Sequence, residues 1–372
     1  MKPTVAVALS GGVDSLTTAW LLKVQGYPVI GVHFITGFEH YNRPALDASG
    51  PSASMVDIAH QALMPIATRL DIALKILDGT KRFKTEVVDY FVNTYRAGQT
   101  PSPCLVCNPA IKFGDLFRFS HQLGAKWLAT GHYARIHRKA DGHIELYRGV
   151  DSSKDQSYFL SRLSQQQLTR SMFPLGEMTK PEVIELAQKN DLSPITDGES
   201  QDICFIKSGD YGQFLGSRPG FKAMPGPIVD TDGEEIGQHP GLHLFTIGQR
   251  RGINCPAKTP YYVIRIELDG NRLVVGQRDA LFTPFCEVAD INWIAPVPTT
   301  PIQVSIKIRY RHGAVAATVS PLANQTAMVH FDEPQAAVTP GQGAVFYRDD
   351  MVLGGGWIVD KKITFLETKE KG

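Results

Sequence analysis

The sequence predicts a parallel-sheet α/β N-terminal domain of Rossmann-like type, followed by a β-rich central domain and a C-terminal β-barrel. Two observations carry this. The chain opens on a strand–loop–helix–strand unit that then repeats, and beyond residue 210 helical periodicity gives way to short alternating runs rich in Gly and Pro.

The elements follow in order. Residues 4–9 form an apolar, β-branched run, read as a buried strand. A glycine loop, Ser10-Gly11-Gly12-Val13-Asp14-Ser15, comes next. Leu16, Ala19, Trp20 and Leu22 then keep helical spacing up to a stop at Gly26, and Val29–Phe34 reads as a second strand. Residues 36–53 are rich in Gly, Pro, Asn and Ser and read as a mobile loop. Helices are expected near 54–70, 81–97 and 112–123, and strands at 72–77 and 127–130. Thr179 and Glu182 suit a capping box, with Pro181 in the first turn of its helix. Strand-like runs occupy 261–266, 272–275, 304–308, 314–319, 327–331 and 344–347. Gly354-Gly355-Gly356 reads as a tight turn. The expected domains are 1–209, 210–283 and 284–372, the last boundary falling near Pro284.

Composition narrows the function classes. The 372 residues are 43% hydrophobic and 20% charged, which excludes a wholly disordered or fibrous chain. With 38 basic and 37 acidic residues, the net charge is +1, too low for nonspecific coating of nucleic acid. A nucleic-acid partner would have to be held by local patches and shape. No run approaches the ~20 apolar residues of a membrane span. Five cysteines, a low and odd count, fit a reducing cytoplasm and catalytic or metal-binding thiols.

Between a strand and a helix, the Ser10–Ser15 loop suits a phosphate. Glycines let backbone N–H groups close on an anion, and the helix N-terminus adds a favourable dipole. Asp14 is placed to hold Mg²⁺ against the phosphates. The loop lacks both the Gly-Lys-Ser/Thr ending of ATPase loops and the dinucleotide Gly-x-Gly-x-x-Gly pattern. It resembles the PP-loop of ATP pyrophosphatases, which implies cleavage of ATP to AMP and pyrophosphate.

The second chemical signal is sulfur. Cys104 and Cys107 lie three apart, just ahead of the helix expected to carry Ile111-Lys112-Phe113, where a helix dipole would lower a thiol pKa. Cys204 follows in Ser200-Gln201-Asp202-Ile203-Cys204-Phe205. One thiol can carry a persulfide for another to attack. Zinc is weakly signalled, since a second Cys pair is missing. Three thiolates could alternatively hold a [4Fe–4S] cluster with one open iron. Cys255 and Cys286 read as small buried hydrophobes.

Loop and cysteines together make the chain, from about residue 4 to 360, similar to the tRNA-specific 2-thiouridylase family. The resemblance implies ATP contacts at Ala8, Leu9, Ser10, Gly11, Gly12, Val13, Asp14, Ser15, Phe34 and Gly131, the last within Ala129-Thr130-Gly131-His132-Tyr133. It implies tRNA contacts at Ser102, Pro103, Cys104, His132, Lys154, Asp155, Gln156, Arg309, Tyr310 and Gln342. Cys107 falls at the nucleophile, Cys204 at the persulfide carrier, and a Cys107–Cys204 disulfide closes the implied cycle. The implied activity is ATP-dependent 2-thiolation of the tRNA wobble uridine, position 34, with a persulfide-carrying protein as sulfur donor. Cys104 departs from the pattern, since many members have there an Asp that lies beside the target base, a candidate for proton handling; this raises the cluster alternative. Residues 36–53 match poorly.

Each carried-over residue has a plainer reading. Phe34 could be core, Lys154 and Asp155 a solvated pair, and Arg309 and Arg311 neighbours on one exposed strand face. Two other function classes remain. A different PP-loop ligase would keep working without Cys107, and a noncatalytic RNA-binding module would bind without forming AMP.

Overall fold

Apolar alternation and glycine stops are realised much as read. The computed structural model describes residues 2–39, 54–195, 203–206, 210–256 and 258–360. The expectation for the 36–53 loop therefore lies almost wholly outside the described residues. Contacts divide the chain into two units, Met1–Val87 with Cys104–Phe205 and Asp350–Val352, and Val88–Pro103 with Ile206–Asp349 and Leu353–Gly372.

The first unit is built on a parallel sheet. Its strands are β1 (Val5–Ala8), β2 (Val29–Ile35), β3 (Ala73–Asp78) and β4 (Trp127–Ala129); β5 (Ala134–Arg138) and β6 (Ile144–Arg148) form an antiparallel hairpin, and β7 (Ser171–Met172) closes the edge. The sheet order is β3-β2-β1-β4-β7, every pair parallel. This is the doubly wound, Rossmann-like order, with its reversal at β1 and β4. The helix Val13–Val24 turns Leu16, Ala19 and Leu22, all buried, toward the core that holds Val5, Val7 and Leu9. Positions i, i+3 and i+6 share one helix face, which is why so short an apolar pattern suffices. Gly26 ends it at φ +79°, a conformation that costs glycine nothing. The helix Lys180–Lys189 starts as expected, with the Thr179 N–H donating to Glu182 Oε2 at 2.7 Å.

One helix begins earlier than its pattern indicated. The run expected at 112–123 starts at Pro103 and passes through a π-helical stretch, Asn108–Leu116, before Phe117–Gln122. Cys104 and Cys107 are thus inside a helix, Pro103–Cys107, rather than ahead of one. Proline at the first helical position is the overlooked start signal. The wide π turn also explains Gly114, whose Cβ would stand 2.8 Å from the Pro109 carbonyl oxygen.

The second unit holds two β assemblies. One has strands β8 (Gly226–Val229), β9 (Glu235–His239), β10 (Tyr262–Glu267) and β11 (Arg272–Gly276), in the order β10-β11-β8-β9. Its core gathers Ile228, Phe245, Ile253, Val263, Leu273 and Val275, with Cys255 packed against them. The other contains β12 (Phe282–Trp293), β13 (Ile302–Lys307), β14 (Val315–Pro321), β15 (Ala327–Ala336), β16 (Gly343–Arg348) and β17 (Met351–Val359). These run β12-β15-β14-β13-β16-β17, and a β12–β17 pairing closes them into a six-stranded barrel, so no edge is left open. Cys286 is buried in β12.

Two local readings are corrected, at the glycine run and at the arginines. Gly354-Gly355-Gly356 lies within β17 and forms no turn; a Cβ on Gly354 or Gly356 would stand 2.5 Å from the β12 carbonyl oxygens of Asn292 or Ala289. The glycines are there for close strand approach. Pro284 sits inside β12, where the register with β15 shifts between Thr283 and Phe285, a bulge that tolerates a missing donor. Arg309 and Arg311 leave the strand, since β13 ends at Lys307 and they occupy the turn before β14.

Candidate functional site

In an open parallel sheet, ligands bind beyond the carboxyl ends of the strands where the order reverses. Here that place lies beyond β1 and β4. Ala8 ends β1, and the Leu9 N–H donates to the Val32 carbonyl at 2.8 Å. The Leu9 carbonyl accepts from His33 Nδ1 at 2.6 Å, and burial keeps that imidazole below its usual pKa and hence neutral. Ser10 is exposed, while Gly11 holds φ +84°. Ser15, at the first helical turn with Val13 and Asp14, donates its hydroxyl to the Gly12 carbonyl at 2.9 Å and accepts from the Ser10 N–H at 3.2 Å. The loop is thus cross-braced from within and left open at Ser10. Gly131, just after β4, closes on the same helix start: its Cβ would lie 2.9 Å from Asp14 Cβ. Phe34 lays its ring on Gly79, whose Cβ would fall 1.8 Å from Cζ. Phe34 itself is half-buried.

Asp14 is differently employed from the expectation. Lys180 Nζ donates to both its oxygens, at 2.7 and 2.8 Å, and the Tyr133 hydroxyl donates to Oδ1 at 2.8 Å. A carboxylate already neutralised by an ammonium on both oxygens is a poor fit for a Mg²⁺ ligand, and no step is routed through a metal there. The pair instead ties the helix Lys180–Lys189 to the phosphate loop. Lys180 was legible only as part of a helix start, because its partner lies 166 residues away. Its side chain is 9% exposed against 34% for Asp14, so Lys180→Met would leave a half-exposed carboxylate without its cation. The expected cost is about 1–2 kcal/mol of stability, read as a lowered thermal midpoint, with weaker ATP binding in a nucleotide titration.

The thiols converge although 97 positions separate Cys107 from Cys204. All five cysteines are free. Cys107 feels the charge of both Cys104 and Cys204, so the three sulfurs share one neighbourhood in the first unit. Phe205 anchors Cys204, its ring 5.7 Å from Phe38 and 5.8 Å from Phe83. The expected lowering of thiol pKa is overturned. Burial pushes Cys107 up to about 12 and Cys204 up to about 11, and it raises Cys104 as well. Cys104 and Cys204 keep solvent-facing surface, but dense protein around the sulfurs outweighs it. Among the described residues, no group of three or more His, Cys, Asp or Glu side chains is arranged to hold a metal.

Comparison with known proteins bears on the pairing of loop and thiols. Three family models match in succession: the tRNA methyl transferase HUP domain over residues 3–208, the tRNA methyl transferase PRC-barrel domain over 212–277 and the aminomethyltransferase β-barrel domain over 285–358. The tRNA-specific 2-thiouridylase MnmA of Desulfosudis oleivorans is 46% identical over 357 residues, 96% of this chain and 95% of that one. Its namesake from Geobacter metallireducens is 43% identical over 96% of this chain and 97% of that one. The chain belongs to the tRNA-specific 2-thiouridylase family. A solved complex of a 4-thiouridine synthetase with RNA and bound ATP is 19% identical, covering 50% of this chain and 40% of that one, with a TM-score of 0.30.

The positions that this family resemblance marks for tRNA contact have distinct placements. His132 is buried, with Nδ1 2.7 Å from Thr130 Oγ1. Asp155 is buried as well, accepting from the Gly149 and Ser157 N–H groups and the Ser157 hydroxyl, so it braces a turn and is no solvated partner of Lys154. Gln156 Oε1 accepts from the Tyr133 N–H at 3.1 Å, and Lys154 stays half-buried beside it. In the second unit, Ser102 and Pro103 are buried, and the Ser102 N–H donates to the Tyr90 hydroxyl at 3.3 Å. Gln342 Nε2 donates to the Thr100 and Pro101 carbonyls at 3.2 and 3.1 Å, bracing the approach to Pro103. Arg309 donates to the Ala337 carbonyl at 3.4 Å, and Lys307 lies over the Tyr310 ring at 5.3 Å. That turn gathers three cations and one aromatic ring, chemistry suited to RNA phosphates and bases. No helix among the described residues is long and apolar enough to cross a membrane.

Proposed function

We propose that the chain thiolates C2 of the wobble uridine, position 34, of tRNA in the cytoplasm, using ATP and sulfur from a persulfide-carrying protein. The observation that carries this reading is the meeting of Cys107 and Cys204 in the unit that also bears the Ser10–Ser15 loop.

ATP is a substrate here. The Gly11 and Gly12 backbone, the Ser10 hydroxyl and the start of the helix Val13–Val24 suit its phosphates, and Phe34 suits its base. Uridine O2 attacks the α-phosphorus and pyrophosphate leaves. Charge developing on the phosphoryl oxygens is met by N–H groups already in place. The target base must leave its stack, at lower cost in an anticodon loop than in a duplex. Cys204 receives sulfur as a persulfide. The Cys107 thiolate then bonds to the Cys204 sulfur, the bond to the terminal sulfur breaks, and that sulfur leaves as hydrosulfide. Hydrosulfide adds to C2, and AMP departs with the former O2 oxygen. The Cys107–Cys204 disulfide left behind takes two electrons from a cellular thiol reductant before the next turnover.

Nucleoside mass analysis of tRNA from cells lacking this chain tests the reading. The 2-thio group at position 34 should vanish and return when the gene is restored. Unchanged 2-thiouridine content would refute it.

A further inference from the structure

A half-buried lysine sits near the thiols and lends them positive charge. Lys112 lies on the π-helical stretch Asn108–Leu116, directly downstream of Cys107. Cys107 is the N-cap of that stretch, so Lys112 follows it by about one π turn. No Asp or Glu pairs with Lys112 among the described residues. Among the described residues its polar partner is His132, with Nζ 3.4 Å from Nε2.

The histidine fixes the direction in which that cation serves. An ammonium only donates, so Nε2 offers its lone pair and the ring proton sits on Nδ1, donating to Thr130 Oγ1 at 2.7 Å. The ring is walled by Phe113 and Phe173, with centroids 6.1 and 6.2 Å away. Burial and the neighbouring Lys112 charge hold His132 well below its usual pKa, so it stays a neutral acceptor. One donor direction of Lys112 is thereby fixed and two remain. Among the described residues, the groups whose charges reach the sulfurs are few. Lys112 favours ionisation of Cys104, Cys107 and Cys204; the sulfurs oppose one another, and Glu39 opposes Cys204. Glu39 is itself tied to the Thr36 and Gly37 N–H groups at 2.6 and 3.0 Å.

We propose that Lys112, oriented by His132, is the counter-cation of the reacting sulfurs, stabilising the Cys107 thiolate and the anionic terminal sulfur of a Cys204 persulfide. This deepens the proposed thiolation and rests on it only for the persulfide. The thiolate part requires no RNA, ATP or donor protein: the thiol loses its proton to water, and the negative sulfur forms beside a positive charge. Lys112 was quoted in the sequence as part of a helix and given no role. The signal was its spacing from Cys107, hidden because the π-helix was not anticipated.

The test is the pH dependence of iodoacetamide alkylation at Cys107 and Cys204, followed by peptide mass spectrometry on the native full-length protein. Lys112→Met should slow both sites about tenfold at pH 8, equivalent to one pKa unit, and shift their profiles to higher pH. Lys112→Arg should recover most of the rate, since it keeps the charge. A variant that opened the helix would alkylate faster, the opposite sign, so misfolding cannot imitate the expected result. Lys112→Gln supplies a second charge-free variant that keeps polarity. An unchanged Lys112→Met profile, or a slow Lys112→Arg, would overturn the proposal. Loss of thiolation activity with normal alkylation profiles would likewise count against it. A failure of the tRNA reading alone would leave the alkylation result untouched.

Discussion

Cys107→Ser and Cys204→Ser are each expected to cut formation of 2-thiouridine by roughly 10³-fold or more while pyrophosphate release from ATP and tRNA continues. The separation follows from the two half-reactions. The phosphate loop does not depend on either sulfur: its braces are Ser10, Gly12 and Ser15. A serine hydroxyl, however, neither carries a persulfide nor cleaves one at neutral pH. The measurement pairs product nucleoside analysis with a pyrophosphate assay on the same protein. Cys104→Ala should leave measurable thiolation, because only two sulfurs enter the cycle. The wild-type thiols carry their own pH signature. With Cys107 at about 12 in the resting protein, only about one in 10⁴ is ionised at pH 8. The thiolate fraction then grows tenfold per pH unit until the pKa is reached, so the resting protein should alkylate slowly and ever faster toward alkaline pH.

Gly11→Ala is expected to lower adenylation by about 100-fold. Gly11 stands at φ +84°, where a Cβ costs roughly 1–2 kcal/mol. The added methyl would also stand 2.7 Å from Ile195 Cγ1, and the Ile195 N–H donates to the Gly11 carbonyl at 3.0 Å. Relieving that clash moves the loop backbone, the surface proposed to hold the phosphates. Together these come to roughly 3 kcal/mol of lost preorganisation, equivalent to the stated factor. Initial rates of AMP formation, with ATP varied, check it. Gly12→Ala should be milder, since Gly12 keeps an extended conformation at φ −84°.

Much of this was legible because it is local. The order of strand, glycine loop and helix over residues 4–25 gave both the parallel sheet and the place of the phosphate loop. The alternating runs beyond 260 gave the barrel strands. What escaped depends on chain segments meeting across the sheet. The hairpin Ala134–Arg138 with Ile144–Arg148 is absent from the elements expected from the sequence. The Asp14–Lys180 pair, the Phe34–Gly79 contact and the Gln342 brace on Thr100 each join distant positions. The thiol pKa prediction erred for the same reason. A dipole is visible in a helix start, but burial depends on everything packed around it, and here burial wins.

The central proposal is that ATP converts the uridine O2 into a leaving group. It is tested most directly with tRNA carrying ¹⁸O at O2 of uridine 34, incubated with ATP, a persulfide donor and the purified protein. The AMP produced should gain one ¹⁸O for each 2-thiouridine formed. AMP free of label, with the ¹⁸O found in water or pyrophosphate, would contradict the proposal.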